Sequence, residues 1–138
     1  MRALSNGIHY KGNSDFPPPI EHVWAGIRDF GGAQQLAPGF LLDCYLDGDA
    51  RVVTFASGRV ARELLVDIDD TTRRLVYAEP GGPFTTRNAS LQVFAEGESR
   101  CRVVWIIDVL PDEFANLMRE NMERALAIMK RTLEDSPG

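Results

Sequence analysis

Between residues 40 and 111 the chain divides into six strand-length segments, each closed by turn-forming residues, and this rhythm most constrains the fold. The segments are FLLDCYLDG, ARVVTFASG, RVARELLVDIDD, RRLVYAEPGG, TTRNASLQVFAEG and SRCRVVWIIDVLP. Their separators are DGD at 47–49, SG at 57–58, DDTT at 69–72, GGP at 81–83 and EGES at 96–99. Such residues accept turn backbone angles or hydrogen-bond their own main chain. Links this short join strands as an antiparallel meander.

The flanks read as helix. A weakly alternating stretch at 4–15 predicts a first strand, ended by the prolines at 17–19. Proline suits a first helical turn, so a helix starts near Pro19. Ile20, Val23, Trp24, Ile27 and Phe30 recur on its apolar face, and Gly31 and Gly32 end it. Ala33 to Leu36 fits a second short helix, stopped by Pro38 and Gly39. The segment from Pro111 to Glu134 has the clearest helical period: Phe114, Leu117, Met118, Asn121, Met122, Ala125, Leu126, Met129 and Leu133 form one stripe. Asp112 and Glu113 near its start and Lys130 and Arg131 near its end suit the helix dipole. At about 1.5 Å per residue this helix is roughly 34 Å long, so it must lie along a large sheet to bury its stripe.

With 138 residues, 44% of them apolar, the chain fits one domain around one core, here about 4–134. Twenty acids against 15 bases leave a net charge of −5 and no basic stripe for phosphates, which argues against nucleic acid as a partner. Val103 to Ile107 and the other apolar runs are too short to span a bilayer, and the N-terminal MRALSNGIHYKG lacks the apolar stretch of a secretory signal. A cytoplasmic location is expected. Cys44 and Cys101 read as free thiols in separate strands. His9 and His22 lie in different elements without a second ligand at zinc-like spacing, so no metal is expected, and His22 is expected to cap or solvate the first helix. No phosphate loop, dinucleotide fingerprint or nucleophile elbow is present, and no cofactor is expected.

One strand, two short helices, six strands and a long terminal helix is the element order of the helix-grip fold. The residues PPPIEHVWAGIRDFGG at 17–32, REL and DIDD within 62–70, LVY at 75–77, the Asn-x-Ser strand at 88–94, VVW at 103–105 and AIMKRTLE at 127–134 resemble the SRPBCC superfamily. That superfamily includes START domains, birch-pollen-allergen-like proteins, plant abscisic acid receptors and polyketide cyclase/dehydrase relatives. The resemblance implies an α+β fold in which a curved, seven-stranded antiparallel sheet wraps the long helix and leaves an apolar cavity. It implies that Glu63 faces this cavity and can hold a polar ligand group. The same similarity directs Phe40, Leu41, Val53, Phe55, Tyr77, Glu79, Asn88, Val103 and Trp105 toward the cavity, with Leu117, Asn121 and Ala125 on the helix side. The basic residue that anchors a ligand carboxylate in the receptors falls near Pro38 here, and the turn after Gly58 runs straight into Arg59 and Val60 without their longer lid loop. Neither that anchor nor a ligand-gated partner switch is therefore implied.

The residues leave alternatives open. Glu63 shares a strand face with Ala61 and Leu65, while Leu64, Val66 and Ile68 share the other with Arg62. In an apolar pocket its pKa would rise toward that of a general acid or base; otherwise it is a solvated glutamate paired across the strand with Arg51. Tyr77 and Trp105 either orient a ligand or pack as core aromatics. Glu79, beside Pro80, is either a cavity group or a rim residue in water. Asn88 and Ser90 share a face and can donate to a ligand carbonyl; Asn121, inside an apolar stripe, needs a partner. Met118, Met122 and Met129 form either an adaptable ligand wall or core filling. Three functions follow: binding a small apolar or aromatic molecule such as a lipid or polyketide; cofactor-independent cyclase, dehydratase or lyase chemistry with Glu63 and Tyr77 moving protons; or a protein-interaction subunit with a filled interior, a homodimer included.

Overall fold

The computed structural model describes residues 2–11, 19–97 and 100–135. Seven strands form one sheet: β1 (Arg2–Lys11), β2 (Leu41–Asp47), β3 (Ala50–Phe55), β4 (Val60–Asp69), β5 (Arg74–Ala78), β6 (Thr86–Ala95) and β7 (Arg100–Leu110). All neighbouring pairs are antiparallel, in the order β1-β7-β6-β5-β4-β3-β2. The six consecutive strands follow the turn signals one for one; β1 alone pairs out of sequence, beside β7. Of the strand expected at 4–15, residues 12–15 lie outside the described residues.

Two short helices, α1 (Pro19–Arg28) and α2 (Ala33–Leu36), join β1 to β2, and α3 (Ala115–Asp135) ends the fold. α1 stops at Arg28, earlier than its apolar stripe suggested, and Phe30–Gly32 forms a tighter 3-10 turn that still buries the Phe30 ring. The Trp24 indole N–H and Arg28 Nε both donate to Asp70 Oδ1, at 2.9 and 2.8 Å, and pin α1 to the turn after β4. His22 Nε2 donates to the Leu133 carbonyl at 3.2 Å and ties α1 to the end of α3. The last helix also begins later than Pro111, because Asp112–Phe114 is a 3-10 turn ahead of it.

The core lies between one face of the sheet and the helices. α3 contributes Met118, Met122, Leu126, Met129 and Leu133; α1 contributes Val23, Trp24 and Ile27; the sheet answers with Leu75, Leu91, Val93, Val103 and Ile107. Each such side chain gains about 1.5–3 kcal/mol on leaving water, so the three α3 methionines hold the helix down whatever else they do. Alternation holds along most strands but shifts at Leu42, skipped between the Leu41–Phe55 and Asp43–Thr54 pairs, and again in β4. Leu65 pairs with Tyr77 but Asp67 pairs with Val76, so Val66 is an extra residue, bulged outward and exposed. The bulge returns Ile68 to the core face with Leu65, whereas simple alternation put it on the opposite face. Among the described residues no helix is long and apolar enough to cross a membrane. Cys44 is half-buried and Cys101 buried, both free.

Candidate functional site

Between the inner face of the sheet and α1, α2 and α3 lies a cavity of about 430 Å³. Phe40, Leu41, Val53, Phe55, Glu63, Tyr77, Trp105, Leu117, Asn121 and Ala125 all line it, as do Met118, Met122 and Met129. Four residues expected there do not. Val103 is fully buried in the core beneath the site. Asn88 is exposed and Ser90 half-buried on the outer face of β6, because the inward set of that strand is Arg87, Ala89, Leu91 and Val93. Glu79 is not a water-exposed rim residue; it is 5% exposed and ion-paired behind the cavity wall.

One row of charges crosses four strands at the polar side of this cavity. The β3–β4 register sets Arg51 opposite Glu63, and the Glu79 amide N–H donates to the Arg87 carbonyl at 2.9 Å across the next hairpin. Leu64 pairs with Ala78, so the two glutamates occupy neighbouring inward places. Like charges so close repel; Arg87 separates them, its Nη1 lying 2.9 Å from Glu63 Oε2 and 2.7 Å from Glu79 Oε1. Arg51 Nε donates to Glu63 Oε1 at 2.8 Å and its Nη1 to the Phe30 carbonyl at 3.3 Å. Its guanidinium also stacks on the Phe30 and Tyr77 rings, 4.2 and 4.7 Å from their centroids. At the far end Arg59 grips Glu79 through two bonds of 2.7 and 3.2 Å and lies against the Phe55 and Phe84 rings.

These partners set the ionisation states. Burial alone would push the Glu63 carboxyl up, but Arg51 and Arg87 outweigh it and hold the group below the ordinary carboxylate value. The rise that would suit proton transfer is thus reversed: the residue faces the cavity, yet both its oxygens are occupied by arginines. Tyr77 moves the opposite way, pushed up by burial and then by the Glu63 charge, so its phenol stays neutral. Burial opposes the Arg87 charge, but Glu63 reverses the balance, with Tyr77 and Glu79 adding to it, and the guanidinium is held more firmly protonated than in water. Arg87 Nε is buried with no hydrogen-bond partner among the described residues, while the buried Trp105 indole N–H lies against the Tyr77 hydroxyl.

Arg87 and Arg59 were absent from the sequence expectation. The signal for Arg87 was present, since the apolar alternation of Ala89, Leu91 and Val93 extends back to it; the polar pair Asn88 and Ser90 drew attention to the wrong face. Arg59 sits in a turn, where no periodicity assigns a side.

A family model described as polyketide cyclase/dehydrase and lipid transport matches residues 8–134. No curated protein matches the chain. Among solved structures, an uncharacterised protein from Bacillus thuringiensis superposes with a TM-score of 0.82 at 18% identity, over 96% of this chain and 98% of that one. XoxI from Bacillus cereus gives 0.81 at 20% identity, over 96% of both chains. Norcoclaurine synthase from Thalictrum flavum, solved with dopamine and hydroxybenzaldehyde, gives 0.68 at 16% identity, over 96% of this chain and 83% of that one. With this architecture and a family match over nearly its whole length, the chain belongs to the polyketide cyclase/dehydrase and lipid transport family, within the START/SRPBCC superfamily.

Proposed function

We propose that this protein binds a small apolar or aromatic molecule, such as a lipid, polyketide or related metabolite, in the cavity between sheet and α3. The observation that carries the reading is the unfilled volume of about 430 Å³ in an interior otherwise packed with side chains. Protein interiors close gaps much smaller than this, and ligand sites start at roughly 300 Å³. The lining is adaptable: three methionines on one wall and aromatic rings at Phe40, Phe55, Phe84 and Phe114 on the others.

The open interior speaks against an interaction subunit with a filled core. Proton-transfer chemistry through Glu63 is not favoured either, since a carboxylate held ionised by two arginines is a poor acid and a weak base. Native mass spectrometry of the purified protein, followed by denaturation and identification of any released compound, tests the proposal. A copurified apolar molecule is expected. A clean apo mass, together with no thermal stabilisation across aromatic, polyketide-like and lipid compounds, would overturn it.

A further inference from the structure

We infer that the cavity selects ligands with one negative charge, an apolar or aromatic body bearing a single carboxylate that docks at Arg87. The inference rests on the binding reading above and names the ligand class for that site. The charge row holds three guanidiniums, Arg51, Arg59 and Arg87, against two carboxylates, Glu63 and Glu79, which leaves one positive charge uncompensated. Arg51, Arg87, Glu63 and Glu79 are all at most 7% exposed, and Arg59 has about a third of its side chain in water. Proton movement cannot relieve the surplus. Arginine does not give up its proton in proteins, and protonating a glutamate only enlarges the excess.

With no ligand in place, only water entering the cavity can solvate this excess. A ligand that fills the cavity expels that water, so a neutral apolar molecule leaves a buried charge without compensation, which is costly. A ligand bringing its own negative charge avoids the penalty and meets a charge-assisted hydrogen bond.

The bonding pattern locates the anion. Arg51 is satisfied by Glu63, the Phe30 carbonyl and two aromatic rings, and Arg59 by both oxygens of Glu79. Arg87 instead shares one nitrogen, Nη1, between two carboxylates, and its buried Nε has no partner among the described residues. A carboxylate offers two planar oxygens suited to a guanidinium. Asp29, Glu120 and Arg124 also reach the lining, but all three are exposed at its edge, where water screens them.

The test is isothermal titration calorimetry with 2-naphthoate and its methyl ester, which share a body and differ in charge. Wild-type protein should bind the acid at least 10-fold more tightly than the ester. Arg59→Gln removes the surplus and should bring the acid-to-ester ratio close to one; Glu79→Gln enlarges the surplus and should raise the ratio. Circular dichroism melts establish that each variant is folded, and the ratio is read within each protein, so differences in overall affinity cancel. Equal binding of acid and ester by the wild type, or a ratio that does not follow these two substitutions, overturns the anion inference while leaving the cavity reading intact. Binding of neither probe overturns the anion inference for this ligand class, and the cavity reading is then decided by the mass-spectrometric test above.

Discussion

Replacing Arg87 with methionine removes the cation that separates two buried glutamates, and the structure sets the size of the effect. The guanidinium reaches Glu63 Oε2 at 2.9 Å and Glu79 Oε1 at 2.7 Å, with all three side chains at most 5% exposed. Removing one partner of a buried ion pair costs about 3–5 kcal/mol, because the remaining charge stays buried. Here each glutamate keeps one other arginine, Arg51 or Arg59, so the lower end applies, about 3 kcal/mol. In a chain of this length that lowers Tm by about 10 °C. The control is Arg62→Met. Arg62 pairs with Asp47 where their side chains are 49% and 60% exposed, and a pair so open to water contributes at most about 1 kcal/mol. Urea titrations followed by far-UV circular dichroism at pH 7 measure both. A third protein, Arg87→Met with Glu79→Leu, removes a charge of each sign and should lose less than Arg87→Met alone. Equal losses for Arg87→Met and Arg62→Met, or a double variant as unstable as the sum of its singles, would refute the account of the row as a set of coupled buried charges.

The Glu63 carboxyl is held below its ordinary value of 4.5, so its charge contributes stability above that pH and the contribution is lost as pH falls through the folded-state value. Glu63→Gln should therefore be less stable than wild type at pH 7 and show a flatter loss as the pH falls below the ordinary carboxylate value, as read from chemical denaturation at stepped pH. Ala125, buried on the α3 wall of the cavity, becomes a plug when changed to phenylalanine; the variant should fold yet lose 2-naphthoate binding, and retained affinity would place the ligand elsewhere. Gly82 has φ +71°, and a Cβ there would lie 3.0 Å from Glu79 Oε2, whereas Gly48, at φ +62°, faces open space. Both alanine variants bear the left-handed backbone penalty of about 1–2 kcal/mol, so the excess melting-temperature loss of Gly82→Ala over Gly48→Ala reads the disturbance of Glu79. Burial pushes the Cys101 thiol up to about 11, so a thiol reagent should label Cys44 first and Cys101 only on unfolding, as peptide mapping would show.

Local pattern was a good guide wherever one face of an element meets the core. The α3 stripe appears as expected, with Met118, Met122, Leu126, Met129 and Leu133 all buried, and Leu117, at its edge, 49% exposed on the cavity lining. The period of two puts Glu63 on one face with Ala61, and the family resemblance turns that face to the cavity, where both are buried. The misreadings have specific causes. The Val66 bulge shifts the period by one and turns Ile68 inward, and a bulge is a property of pairing with β5 rather than of β4 alone. Asn88, directed inward by the family resemblance, and Ser90, which shares its face, point outward because the inward face of β6 is set by burying Ala89, Leu91 and Val93.

By itself the sequence determined the order of elements, the antiparallel pairing of consecutive strands and the apolar face of each helix. These depend on turn chemistry and on periods of two or 3.6 residues, which act between close neighbours along the chain. Only the tertiary structure decided the electrostatic character of the cavity. Glu63 takes its charge state from Arg51, 12 residues before it, and Arg87, 24 residues after it, and both come within bonding distance only once four strands align in register. A carboxylate that the sequence left either solvated and paired with Arg51 or poised for proton transfer keeps the Arg51 pair but is buried, ionised and immobilised by the added Arg87, because Coulomb attraction depends on distance in space and not on separation in sequence.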